Sequence, residues 1–216
     1  MISTRCLFVI GVVKIGGAFF SEPARDKVNK VKTFISSFKG DLALVAGGGN
    51  MVKAYLDKFR KLDLPETFLD LLGIEMTHVN AQFMARILNG VHTRTFPEVK
   101  NNLGKLPVTA GQTVGQSTDA VAAALADYLK ADILILVKDV GGIYPKDPKE
   151  NPGMRVIHKL SFEELRRFAK QDTRAGYYGV VDPTAINTII RSRIPTYVVG
   201  LDFNFDDGTK IGASVD

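Results

Sequence analysis

Short apolar runs that stop at glycines or polar turns set the strongest limit on what this chain can fold into. Five such runs occupy residues 7–13, 42–46, 106–109, 133–137 and 196–199, and each is continuous rather than alternating. A strand that alternates apolar and polar residues keeps one wet face, whereas a continuous run must be covered on both. Helical patterns lie between the runs. Val28, Val31, Ile35 and Phe38 keep a three-four spacing, as do Met51, Val52, Tyr55, Leu56 and Phe59. So do Phe68, Leu72, Met76, Val79, Phe83 and Ile87, and an alanine-rich stretch follows at 119–130. Ser161-Phe-Glu-Glu164 reads as a capping box, and Asp182-Pro183 as an N-cap with proline at the first helical position. Strands alternating with helices predict βαβ units and a mainly parallel sheet. With no linker, repeat or low-complexity tract, the expectation is one α/β domain over residues 1–216.

Composition excludes several classes. Of the 216 residues 45% are hydrophobic, too many for a disordered chain. Cys6 is the only cysteine, so a disulfide framework is impossible, and His78, His92 and His158 are scattered. A lone cysteine suits a reducing, cytoplasmic compartment. The run at 6–13 is too short to span a bilayer and is stopped by Lys14, so a buried strand is expected there, with no membrane partner. The net charge of +5 suits anionic partners. No run of five like charges appears and no aromatics interleave a basic stripe, which favours a solvated basic surface over nucleic-acid binding.

Chemistry concentrates where the strands end. The first end reads Lys14-Ile-Gly16-Gly17-Ala18, the second Gly47-Gly48-Gly49-Asn50, and the third Gly111-Gln-Thr-Val-Gly115-Gln116-Ser117-Thr118-Asp119. Glycines let backbone N–H groups approach an oxygen closely, and a helix N-terminus adds its positive dipole. Each bend alone could be no more than a tight turn; three of them beside Lys14 suit more than one phosphate. Neither common nucleotide motif is present. Gly47–49 lacks the third glycine of a dinucleotide fingerprint, and Gln116 stands where a Walker A loop needs lysine.

In this order the turns resemble the amino acid kinase family, and within it the archaeal-type uridylate kinases. The resemblance runs from Lys14 to about Gly200 and rests on Gly47-Gly-Gly49, Phe68-Leu-Asp70-Leu-Leu-Gly73-Ile, Thr77-His-Val-Asn80-Ala, Gly115-Gln-Ser-Thr118-Asp-Ala-Val-Ala-Ala and Asp139-Val-Gly-Gly-Ile-Tyr144-Pro-Lys-Asp147-Pro. It implies a three-layer αβα sandwich with a mainly parallel central sheet. It also implies transfer of the ATP γ-phosphoryl group to UMP, giving UDP and ADP in pyrimidine nucleotide biosynthesis, with Mg²⁺ accompanying the nucleotide. Relatives of this kind are homo-oligomers, commonly hexamers.

By the same resemblance Lys14 bridges the transferring phosphate, and Asp139 is placed to orient it. Gly48, Asp70 and the loop Gln112, Thr113, Val114, Gly115, Gln116, Ser117 and Thr118 correspond to the acceptor site. Gly16, Gly17, Ala18, Gly49, Lys53, Lys138, Asp139, Tyr144 and Asp147 correspond to the ATP site, and the segment 145–153 to a lid. No protein metal ligands are expected. Plainer readings stay open: Lys53 suits an exposed helix face, Asp70 a turn, Ser117 or Thr118 an N-cap, and Tyr144 a loop aromatic. Several positions depart from the family pattern. Ala18 stands for serine or lysine, Lys53 and His78 for arginine, Lys138 for threonine, Asp139 and Gly141 for asparagine and aspartate, Ala110 for glycine and Val114 for proline. A different phosphate or carboxylate acceptor, or a nucleotide-binding protein without turnover, are the competing functions.

Overall fold

The computed structural model describes residues 9–21, 25–146, 148, 151, 153–170 and 181–213. The apolar runs become the centre of the sheet: β1 (Ile10–Ile15), β2 (Asp41–Ala46), β4 (Pro107–Thr109), β5 (Ile133–Val137) and β7 (Thr196–Val199). Three short strands, β3 (Val91–His92), β6 (Lys159–Ser161) and β8 (Thr209–Gly212), complete an order of β3-β4-β2-β1-β5-β7-β8-β6. The pairings are parallel except for β7 with β8.

Side chains leave the central strands alternately to two cores, which explains why the runs are apolar throughout. Val12, Ala43, Val45, Leu134, Leu136 and Val198 face one core, packed by α6 (Thr118–Leu129) and α8 (Pro183–Ser192). Val13, Ile15, Leu42, Leu44, Ile135 and Val199 face the other, covered by α1 (Ala18–Ser21), α2 (Arg25–Ser37) and α4 (Glu66–Leu88). The architecture is therefore three layers, helix on sheet on helix. Two further helices, α3 (Gly49–Arg60) and α5 (Phe96–Asn101), follow β2 and β3.

Local sequence sets the helix ends as expected. Asp182 accepts hydrogen bonds from the N–H groups of Thr184 and Ala185, with Pro183 opening α8. The Ser161–Glu164 capping box forms, but the helix it opens, α7 (Phe162–Leu165), lasts one turn before a 3₁₀ turn at Phe168–Lys170. Because β1, β2, β4 and β5 run parallel, their carboxyl ends share one edge. The loops 16–18, 47–49, 110–117 and 138–144 therefore meet along a single rim.

Candidate active site

Lys14 points from β1 toward α6, on the same sheet face as Val12, and is 6% exposed. Its ammonium lies 3.1 Å from Oδ1 of Asp119, which is 5% exposed in the first turn of α6. Oδ2 of the same carboxylate accepts a short hydrogen bond from Lys138, the residue after β5. Two ammonium groups from neighbouring strands thus share one buried carboxylate. Burial alone would push the Asp119 carboxyl up, but Lys138 and then Lys14 outweigh it and hold the group at about 2. Burial, opposed by Asp119, also lowers the Lys138 ammonium.

The carboxylate that pairs with Lys14 is Asp119, not Asp139. Asp139 lies one residue beyond Lys138, is exposed in the turn after the strand, and makes no ion pair among the described residues. Asp119 instead starts a helix packed on the face toward which Lys14 projects, where the helix N-terminus also favours an anion.

The first two bends close on one another. Gly16 N–H donates to Val137 at 3.1 Å and Gly47 N–H to Ile15 at 3.0 Å, extending the strand ladders past their ends. A Cβ on Gly17 would lie 2.1 Å from Gly49 Cα, and Gly49 itself has φ +80, so the contact excludes a side chain on either. Gly48, the N-cap of α3, brings no side chain to the helix start. The first N–H groups of α3 consequently end at the rim without a side-chain cap.

The third bend is held by α4. Thr77 Oγ1 accepts from Gly111 N–H at 3.0 Å, and Asp70 Oδ2 accepts from Gly115 N–H at 2.9 Å. Asn80 Nδ2 donates to the carbonyls of Gly47 and Gly48 at 2.8 and 3.1 Å, tying the second bend to the same helix. Within the loop, Gln112 Nε2 donates to Thr109 Oγ1 at 3.1 Å, and Gln116 N–H to the Thr113 carbonyl at 3.2 Å. Ser117 caps α6 by accepting from Ala120 N–H, and Thr118 is the first helical residue. Thr113, Gly115 and Gln116 are exposed, while Val114 is half-buried.

The structure thus brings together Lys14, Gly16, Gly17, Gly48, Gly49, Lys138 and, through α4 and α6, Asp70 with the 112–118 loop. Lys53 is exposed on α3, one turn from the rim. Tyr144 donates to the Val140 carbonyl at 2.9 Å, closing the turn after β5. Ala18 opens α1 at the level of its backbone. Asp147 and much of the expected lid lie outside the described residues. Asp119, Thr77 and Asn80 lie outside the site residues that the sequence suggests, although polar residues on the buried face of an apolar helix are a usable signal.

A sheet edge that gathers two lysines, a carboxylate and glycine-cleared backbone is built to receive phosphate groups. The chain belongs to the amino acid kinase family, whose model matches residues 10–200. It is 35% identical to the uridylate kinase of Pyrococcus abyssi over 203 residues, covering 88% of this chain and 89% of that one. To the uridylate kinase of Sulfolobus acidocaldarius it is 33% identical over 210 residues, covering 92% and 91%. The crystal structure of uridylate kinase from Archaeoglobus fulgidus superposes with a TM-score of 0.81 at 29% identity, covering 94% of this chain and 99% of that one. No helix among the described residues is long and apolar enough to cross a membrane.

Proposed function

We propose that this chain transfers the γ-phosphoryl group of ATP to UMP, giving UDP and ADP, as a cytoplasmic step of pyrimidine nucleotide biosynthesis. The observation that carries the reading is the pair of ammonium groups, Lys14 and Lys138, held on Asp119 where the glycine bends converge. A UMP phosphate oxygen attacks Pγ, and the bond from Pγ to the β–γ bridging oxygen breaks toward ADP. Such a transfer needs alignment and charge neutralisation more than covalent help.

Lys14, at the centre of the rim, faces the moving phosphoryl group. Gly48 and Asp70, with Gln112, Thr113, Val114, Gly115, Gln116, Ser117 and Thr118, form the acceptor side. Asp70 already spends one oxygen on the Gly115 N–H, which leaves its other oxygen for a nucleoside hydroxyl. Gly16, Gly17, Ala18, Gly49, Lys53, Lys138, Asp139, Tyr144 and Asp147 form the donor side, with Lys138 the cation nearest the buried carboxylate. Among the described residues no group of three metal-ligating side chains occurs, and Asp119 is taken up by lysines. Mg²⁺ enters this reading as an ion carried on the ATP phosphates, where it would neutralise phosphate charge.

Homo-oligomeric assembly, a hexamer by family likeness, belongs to the same reading. Large apolar side chains exposed along α4, among them Phe68, Leu71, Val79 and Phe83, support it. Sedimentation at the mass of a single chain would overturn it.

Incubation with Mg-ATP and a panel of nucleoside monophosphates tests the activity. UDP formation with UMP as the preferred acceptor is expected. Turnover of another phosphate or a carboxylate acceptor would reassign the substrate, a result for which Ala110 and Val114 on the acceptor side leave room. Tight nucleotide binding without ADP release would remove the chain from catalysis.

A further inference from the structure

His78 sits in the buried face of α4 with both ring nitrogens committed. Nε2 lies 3.0 Å from the Gly111 carbonyl, and Nδ1 lies 3.1 Å from Nε2 of His92 on β3. A carbonyl only accepts, so His78 Nε2 carries its proton and donates; Nδ1 then accepts, and His92 Nε2 donates to it. Thr77, the residue before, takes the N–H of the same glycine. Both backbone groups of Gly111 are thereby fixed by adjacent side chains of α4, at the root of the 112–118 loop.

We propose that His78 and His92 form a proton-sensitive latch that positions this loop, closed while both rings are neutral and opened by acid. The proposal rests on the reading of residues 112–118 as the acceptor loop. One added proton, on Nδ1 of His92, leaves the nitrogen–nitrogen contact intact; a second, on Nδ1 of His78, does not. With both rings cationic, two N–H groups would face each other across 3.1 Å.

The charged groups around the pair do not relieve that conflict. Arg94, after β3, is gripped by both oxygens of Glu75 from α4 at 3.0 Å, and its N–H donates to Glu98 of α5. Burial first, and then the Arg94 charge, holds both imidazoles below their ordinary range. Opening returns the rings to water, where they take up protons near pH 6.5. Below that pH the open form binds more protons than the closed one, so acid favours opening. The limit is about tenfold per pH unit, set by the one proton that the closed pair cannot take.

Hydrogen exchange at the Gly111 and Gly115 amides, corrected for intrinsic rate, tests the latch in the whole protein. The comparison is wild type against His78→Gln/His92→Gln, at pH 7.5 and pH 5.5. A glutamine amide nitrogen takes the place of Nε2 and does not titrate in this range. Protection in the wild type is expected to fall about tenfold or more between the two pH values, and no more than about twofold in the double variant. Equal losses in both proteins, or none in the wild type, would overturn the latch. His78→Gln alone, which keeps a donor for the Gly111 carbonyl but removes the buried titrating ring, gives the same comparison if the double variant folds poorly.

A kinetic arm follows the UMP KM against the ATP KM over the same range. The wild type should lose acceptor affinity in acid while the variant does not, donor KM values staying parallel. The variant is the needed control because the UMP phosphate itself titrates near pH 6. An equal rise in UMP KM in both proteins would deny the pair its positioning role. A protein that turned over no UMP would defeat the functional reading, yet exchange would still decide whether the latch exists.

Discussion

Removing the carboxylate of Asp119 would leave the Lys14 and Lys138 ammonium groups facing each other in a nearly dry site. Breaking a buried ion pair from one side costs about 3–5 kcal/mol, more than most surface changes. Asp119→Asn should therefore lower the urea midpoint strongly, and turnover further still. The pH dependence has a definite sign. The carboxyl is held at about 2 against an ordinary 3.8, so its contribution is complete above pH 4 and is lost as pH falls through the range from 4 to 2. That contribution is on the order of 2 kcal/mol. Acid titration of stability should show this loss in the wild type and not in Asp119→Asn; parallel curves would remove the assignment. Asp70→Asn keeps an oxygen for Gly115 N–H but loses charge toward the acceptor, so UMP KM should rise about tenfold with ATP KM little changed. An effect confined to ATP would place Asp70 on the wrong side. Asp119 illustrates what sequence reading misses at this scale. It reads as the opening of an alanine-rich helix, because its two partners lie 105 residues before it on β1 and 19 residues after it just past β5 (119 − 14 and 138 − 119).

At the scale of elements, α4 acts as a brace for the rim. Asp70, Thr77, His78 and Asn80 on this single helix reach two of the four backbone stretches that meet there, at 47–48 in the second bend and at 111 and 115 in the third. The first two bends also meet each other in direct backbone contact. A Cβ on Gly17 would meet Gly49 backbone at 2.1 Å, where no flexible side chain can yield, so Gly17→Ala must part the bends. We expect a loss of several kcal/mol in stability, about 2–4, and turnover below a hundredth of wild type, measured by thermal melting and steady-state assay. A stable, active Gly17→Ala enzyme would contradict the packing. The long central strands were legible because burial on both faces forces continuous apolar runs. β3, β6 and β8 were not: they span two to four residues at the sheet's flanks, and their residues, such as Lys159 and Lys210, are partly exposed. The capping box at Ser161 correctly marks a helix start but carries no information on length, and α7 ends after one turn. On the site side, the glycine bends and Lys14 could be read because chain order places them at strand ends. The braces are harder to read: Thr77 and Asn80 stand out only as polar residues in an apolar helix, and which backbone groups they hold emerges when the helix is laid against the sheet.

For the whole molecule, the strand order matters more than any one contact. β1 and β5 lie side by side at the centre, which sets Lys14 and Lys138 on one carboxylate and joins the proposed acceptor and donor halves without a linker. The donor flank is assembled differently. β8 inserts between β7 and β6, antiparallel to the first and parallel to the second, so β6 has β8 as its neighbour in the sheet. A chain ended at residue 205 should keep the 10–137 region resistant to trypsin while cleavage at Lys159, Arg166 and Arg167 accelerates severalfold. Uniform protection, or uniform digestion, would argue against two separable levels of order.

The inserted strand also fixes a sequence of events during synthesis. Lys159 leaves the ribosome fifty residues before Thr209 (209 − 159), yet its strand has no neighbour in the sheet until that later segment arrives. A nascent chain therefore passes through a stage in which a finished half hangs beside an unzipped flank, and the last strand described is the one that closes it.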